Sequence, residues 1–213
     1  MDAHPTARPR VVAVVPVGTL DGAKSRLGEM LDAEERLELA TRMTRRTIEA
    51  TVATPGIDET LVVTPDDAVR QLALDAGARP LRQRSDGLNN GLAEAREEAL
   101  AAGADALLVV PTDLPMIASD ELGRVLDTLG DPRRPLVTIV PDRHGRGTNI
   151  LLVAPPASID FAFGRDSRTA HAARARTASA RLVEIDGPLT LDLDTPDDLL
   201  LVEELLPELV RAR

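Results

Sequence analysis

The chain has 213 residues, a formal net charge of -10 and no cysteine, and it is 43% hydrophobic and 28% charged. That length and apolar content allow one large domain with its own core and exclude global disorder. With Phe161 and Phe163 its only aromatic residues and an acidic balance overall, it lacks both the stacking platforms and the positive field that hold nucleic acids, and the absence of cysteine removes disulfides, thiolate zinc sites and thiol nucleophiles.

Residues 1–10, with two prolines and no periodicity, are expected to form a frayed tail, leaving residues 11–213 as one domain. Val11 to Val15 is a β-branched run ended by Pro16, the pattern of a strand buried on both faces. After a loop from Val17 to Leu31, Asp32 and Glu35 make a capping pair for a helix whose apolar positions include Leu37, Ala40, Met43, Thr47, Ile48 and Thr51. The pattern then repeats: strand Thr60 to Val63, helix Asp66 to Ala76 closed by Gly77, strand Arg79 to Leu81, helix Asn89 to Ala102 closed by Gly103, strand Ala106 to Val110, and a helix from Ser119 to about Leu129. Such alternation predicts a parallel sheet with helices on both faces.

The rhythm changes after Pro135. Strands Leu136 to Val140 and Asn149 to Ala154 are joined by the polar segment DRHGRGT, which predicts a hairpin and hence a mixed sheet. A helix from Arg168 to Ala178, a strand from Arg181 to Ile185, a short strand from Leu191 to Leu193 and a helix from Pro196 to about Val210 complete the chain. The longest apolar runs are about five residues, against roughly 20 for a membrane helix, and the N-terminus lacks the apolar core of a secretory signal. A soluble cytoplasmic protein is expected.

Ligands of open α/β sheets bind beyond the carboxyl ends of the strands, so the loops there are the candidates for chemistry. The first, PVGTLDGAKSRLG, offers glycines for close phosphate approach with Lys24 and Arg26 as counter-charges; the alternative is a solvated surface loop. The second, PTDLP, holds Asp113 rigidly between prolines, either as a ligand for a hard cation such as Mg²⁺ or as a cap on local backbone. In the third, LDLDTPDDL, alternation puts Asp192 and Asp194 on one side, where a carboxylate could join Asp113; Asp194 or Thr195 could instead cap the last helix, and capping accounts for Asp197 and Asp198. The fourth combines DRHGRGTN with FGRDS, where Thr148, Gly164 and Ser167 suit a phosphate or carboxylate, with Ser167 as a plain helix cap the alternative. His4, His144 and His171 lack metal-ligand spacing and are expected to be surface or hydrogen-bonding groups.

Taken in order, VVAVVPV…AKSRLG, GLNNGL, VVPTDLP, DRHGRGTNILL, FGRDSRTAH and LDLDTPDDL resemble the 2-phospholactate or phosphoenolpyruvate guanylyltransferase family of coenzyme F-420 biosynthesis, over nearly the whole chain. The resemblance implies a single-domain α/β nucleotidyltransferase fold, glycosyltransferase-A-like and MobA-like, with a mixed, mostly parallel sheet. It implies transfer of GMP from GTP to a small phosphorylated three-carbon acid, phosphoenolpyruvate or 2-phospho-L-lactate. By residue matching, Thr148, Gly164 and Ser167 would hold the acid, Asp113 and Asp194 would hold Mg²⁺, Lys24 and Arg26 would lie at the triphosphate as catalytic groups, and Asp86, Gly87, Leu88 and Asn89 would seat the nucleotide. Where the family often carries Lys after its VP-hydrophobic turn, this chain has Gly18. A homodimer is compatible with this reading. The alternatives are another small MobA-like nucleotidyltransferase, with a molybdopterin or sugar-phosphate substrate, and a non-catalytic nucleotide-binding module.

Overall fold

A computed structural model describes residues 8–131 and 134–210. In chain order its elements are β1 (Val11–Pro16), α1 (Ala33–Ala53), β2 (Glu59–Thr64), α2 (Asp67–Asp75), β3 (Arg79–Arg82), α3 (Leu88–Ala101), β4 (Ala106–Val109), α4 (Ser119–Leu126), β5 (Leu136–Pro141), β6 (Thr148–Ala154), α5 (Ser167–Thr177), β7 (Arg181–Glu184), α6 (Pro196–Leu205) and α7 (Pro207–Val210). Single turns of 3-10 helix lie at Ser25–Leu27 and Pro188–Thr190.

The seven strands form one sheet in the order β3-β2-β1-β4-β6-β5-β7, and the chain folds as a single domain around it. Every pairing is parallel except those of β6, which runs antiparallel to both β4 and β5. This is the expected mixed sheet. The chain builds outward from β1 to β2 and β3 on one side, then crosses to β4 on the other, so a crevice opens between the carboxyl ends of β1 and β4.

Burial explains why β1 reads as an unbroken apolar run. Val12 and Val14 face a layer containing Leu92, Ala95 and Ala99 of α3 with Ala172 and Ala175 of α5, while Val15 faces Ala40 and Ile48 of α1 and Val69 of α2. The α1 start is fixed as the sequence predicts, with Asp32 and Glu35 forming a reciprocal capping box. Leu37 departs from the expected apolar face and is exposed, because the helix turns its Leu39, Ala40 and Met43 stripe inward instead.

Three other expectations change. Leu191 to Leu193 is extended but is not a strand: it crosses the carboxyl edge of the sheet rather than lying beside a neighbour, and its ladder-like contact is one bond from Leu193 N–H to the Asp113 carbonyl, 2.9 Å. The last helix is broken at Leu206, since Pro207 has no N–H to continue it. Of the expected tail, residues 1–7 lie outside the described residues, whereas Arg8 pairs with Asp58 at 2.6 Å and the Arg10 N–H donates to Asp105 at 2.8 Å.

A small core beside the crevice joins distant segments. Leu27, Leu39, Met43, Leu191, Leu193, Leu199, Val202 and Leu209 pack together. Leu27 and Leu193 are fully buried there, each contributing about 2 kcal/mol, which fastens the loop after β1 to the segment before α6. Among the described residues, no helix is long and apolar enough to cross a membrane.

Candidate functional site

The crevice is built by strand register. Pro16 ends β1, and β4 runs on through Val110 into Pro111, Thr112 and Asp113. Because β6 runs antiparallel to β4, with Leu151 opposite Val109, its first residue Thr148 lies toward the same edge of the sheet, though it lines neither of the cavities there. Thus the loops after β1 and β4 and the start of β6 share one edge of the sheet.

Two adjoining cavities occupy this edge. One of about 370 Å³ is lined by Lys24, Ser25, Arg26, Pro111, Thr112, Asp113 and Asp194. Its neighbour, of about 300 Å³, is lined by Val17, Gly18, Thr19 and the run Gln83 to Leu88, and the two share Pro16 and Leu88. The structure therefore brings Lys24, Arg26, Asp113 and Asp194 to one cavity, and Asp86, Gly87 and Leu88 to the next. Gly18 has room for a side chain, since an added Cβ meets nothing within 4 Å.

Charge in the first cavity is concentrated around one ammonium group. Lys24 Nζ donates to the Leu193 carbonyl at 2.5 Å and lies 3.5 Å from Asp194 Oδ1, while Arg26 approaches Asp194 Oδ2 at 3.6 Å. Lys24 itself adopts a left-handed backbone with φ of 55°, a conformation costing roughly 1 kcal/mol for a non-glycine residue, so the surrounding contacts hold it there. Burial, opposed by Lys24 and reinforced by Asp194, pushes the Asp113 carboxyl above the usual range. Asp192 is pushed up to about 6, by burial first and then by Asp113, Asp194 and Asp198. Asp192 is within electrostatic reach of Asp113 and Asp194 but lines neither cavity.

Asp113 and Asp194, which line one cavity, are the residues there that could hold a hard divalent cation shared with a ligand, Asp194 then exchanging its contacts with Lys24 and Arg26. Among the described residues, no three carboxylate or imidazole groups are arranged to hold a metal ion by themselves. One or two carboxylates completed by phosphate oxygens and water is how Mg²⁺ is usually bound, and a cation would offset the burial that disfavours the ionised form of Asp113.

Asp198 does more than complement a helix dipole. Its Oδ2 accepts from the N–H groups of Asp194 and Thr195, at 3.0 and 2.7 Å, within a capping box with Thr195. Its Oδ1 is paired with Arg143 in the β5–β6 connection, and the side chain is 5% exposed. This ion pair ties the hairpin to the Asp194 segment. No local pattern announces it, because Arg143 and Asp198 are joined only by the fold.

The residues expected to hold the acid form a second group. Ser167 opens α5 and is buried; the helix cap is Asp166, so the reading of Ser167 as a plain cap fails. Gly164 has φ of 126° and open space where a side chain would be. Thr148 Oγ1 lies 3.0 Å from Nδ1 of His171, which sits one helical turn after Ser167 on the same face. His171 is fully buried, and its Nε2 accepts from the Ala162 N–H at 2.9 Å.

Asn89 joins this second group rather than the nucleotide-side cavity. Its Oδ1 accepts from the Phe163 N–H at 2.9 Å and its Nδ2 donates to the Phe163 carbonyl at 3.0 Å. The Asp86 to Leu88 loop is held otherwise: Glu94 accepts from the N–H groups of Arg84 and Ser85, and Gly87 takes a positive φ of 91°.

Comparison with known proteins gives the family and the fold. Residues 11–206 match a family model described as guanylyl transferase CofC like. The chain is 42% identical over 194 residues to a Rubrobacter xylanophilus protein named phosphoenolpyruvate guanylyltransferase, covering 91% of this chain and 93% of that protein. It is 42% identical over 190 residues to a protein of the same name from Sphaerobacter thermophilus, covering 88% of this chain and 90% of that one. The crystal structure of 4-diphosphocytidyl-2C-methyl-D-erythritol synthase shares the fold with a TM-score of 0.62 at 16% identity, over 94% of this chain and all of that one.

Proposed function

The chain belongs to the CofC-like guanylyl transferase family, and on that premise we propose that it transfers GMP from GTP to phosphoenolpyruvate with release of pyrophosphate, in coenzyme F-420 biosynthesis. The observation carrying this reading is the convergence of Asp113, Asp194 and Lys24 in the crevice at the sheet's switch point, beside the Asp86 to Leu88 cavity.

Asp86, Gly87 and Leu88 would seat the nucleoside, Asp113 and Asp194 would hold Mg²⁺, and Lys24 and Arg26 would face the triphosphate. Thr148, Gly164 and Ser167 hold the acid from the β6 side. A phosphate oxygen of phosphoenolpyruvate, already ionised at neutral pH, attacks the α-phosphorus of GTP. The bond from that phosphorus to the β-phosphate oxygen breaks, and its electron pair leaves with pyrophosphate. No general base is required, so the chemistry asks for in-line placement and neutralisation of two polyanions. When bound, Mg²⁺ supplies part of that neutralisation. Lys24, mostly buried, supplies a fixed charge that needs no reorganisation during the step.

The names of the relatives support phosphoenolpyruvate over 2-phospho-L-lactate, which carries the same charged groups. The test is mass spectrometry of products from each acid incubated with GTP, ATP or CTP and Mg²⁺. We expect a guanosine diphosphate ester of enolpyruvate with one pyrophosphate per product. Efficient use of a sugar phosphate or of CTP instead, with none of that ester, would overturn the assignment.

A further inference from the structure

Both ring nitrogens of His171 are engaged, and the direction of the hydrogen bond at Nε2 is fixed by its partner. The Ala162 amide can only donate, so His171 Nε2, which receives it at 2.9 Å, carries no proton. In a neutral imidazole the proton then sits on Nδ1. Nδ1 lies 3.0 Å from Thr148 Oγ1, so it donates to that oxygen. A threonine hydroxyl that accepts this bond still has its own proton to give, and among the described residues no protein acceptor takes it. Thr148 opens β6 at the carboxyl edge of the parallel strands, and Ser167 lies one turn before His171.

We propose that His171 is a positioning residue that fixes Thr148 as a hydrogen-bond donor to an anionic oxygen of the bound acid. This rests on the reading of Thr148 as an acid ligand. The imidazole is held for the task at both ends: Nε2 is anchored on the Ala162 backbone, and the ring meets Phe163 edge-on at 5.0 Å. Asn89 in turn fixes Phe163 from α3 through two bonds. The orientation of one hydroxyl is therefore specified through a chain of contacts that begins at Asn89, in the first turn of α3.

Two substitutions separate positioning from bulk. His171→Asn can keep a donor near the Nδ1 position, while His171→Gln can keep an acceptor for Ala162 but not the donor to Thr148. In steady-state pyrophosphate release, His171→Gln should raise KM for phosphoenolpyruvate about five- to tenfold, the size of one oriented hydrogen bond, with kcat and KM for GTP within about twofold. His171→Asn should stay within about twofold of wild type, and His171→Gln should add little in a Thr148→Val background. Equal effects of Asn and Gln, a matching rise in KM for GTP, or additivity with Thr148→Val would overturn the proposal.

A measurement on the unaltered protein guards against variants that fail to fold. Nitrogen-15 NMR of the imidazoles should show His171 protonated at Nδ1 and not at Nε2, with the Nδ1 resonance moving when phosphoenolpyruvate binds. The opposite tautomer, or an unmoved resonance at saturation, sinks the inference. Wild-type protein that turns over no phosphorylated acid would instead sink the proposed reaction.

Discussion

Lys24 and Asp194 are separated by 170 positions in the chain, yet Lys24 Nζ lies 3.5 Å from Asp194 Oδ1 and donates to the neighbouring Leu193 carbonyl. Lys24 is also the one lysine in the sequence; every other permanently charged basic side chain is arginine. A compact ammonium can serve the Leu193 carbonyl and Asp194 from one atom, a geometry that the planar fork of a guanidinium does not reproduce. Lys24→Met should therefore lower kcat/KM about 100- to 1,000-fold, and Lys24→Arg should not restore it. Arg26, 73% exposed, should cost about tenfold or less when replaced by Ala, chiefly in KM for GTP. Reductive ¹³C-methylation gives Lys24 a single NMR signal besides that of the N-terminus, and it should move on adding GTP and Mg²⁺. An unmoved signal would remove Lys24 from the triphosphate site.

Asp113 should show opposed effects on activity and stability. Its carboxyl is raised above the usual range by burial and by Asp194, so ionising it at neutral pH opposes folding. Asp113→Asn should leave the melting temperature unchanged or raise it, while Mg²⁺-dependent pyrophosphate release falls at least about 1,000-fold. Asp194→Asn should lose activity similarly. Retained turnover in either variant would exclude the carboxylate as a metal ligand.

His171 predicts a stability loss at acid pH. Burial first, then the charge of Arg174, pushes its pKa down from 6.5 to about 4. The unfolded chain takes up this proton below pH 6.5, but the folded protein resists until about 4, so stability falls as pH drops through that window and changes no further below it. At pH 5 the contribution is about 2 kcal/mol. Urea denaturation of wild type and His171→Gln at pH 7 and pH 5 should show a smaller loss in the variant; equal losses would refute the buried neutral imidazole.

Asn89→Ala removes both bonds to the Phe163 backbone and should destabilise by about 1–3 kcal/mol. Because Phe163 leads into Gly164 and Ser167, KM for the acid should rise more than KM for GTP. The reverse order in steady-state kinetics would return Asn89 to the nucleotide.

Arg143→Ala leaves the buried Asp198 carboxylate without its guanidinium, and the loss should be about 2–3 kcal/mol in chemical denaturation. Activity at 25 °C should fall only severalfold, since Asp198 still caps the Asp194 segment.

Much of this molecule can be read along the chain. The apolar runs of β1 and β4 mark strands buried on both faces, Asp32 with Glu35 starts α1, and Pro196 starts α6, because burial and capping act through neighbours a few residues apart. The loops bearing Lys24, Asp113 and Asp194 are legible for the same reason: they follow strands or precede a helix whose ends are locally signalled. The helix read from Pro196 to about Val210 runs through Pro207, where the chain in fact breaks it, although a proline there is itself a local signal.

Only the tertiary structure decides which of these loops meet. Insertion of β6 antiparallel between β4 and β5 brings its Thr148 end to the edge where β4 leads into the Asp113 turn, and the small core around Leu27 and Leu193 fastens Lys24 beside Asp194. Whether Asn89 faces a nucleotide or Phe163, and whether His171 is a surface group or a buried one, depends on partners more than twenty residues away. Capping and periodicity carry no information over such distances, whereas strand order and close packing fix them together.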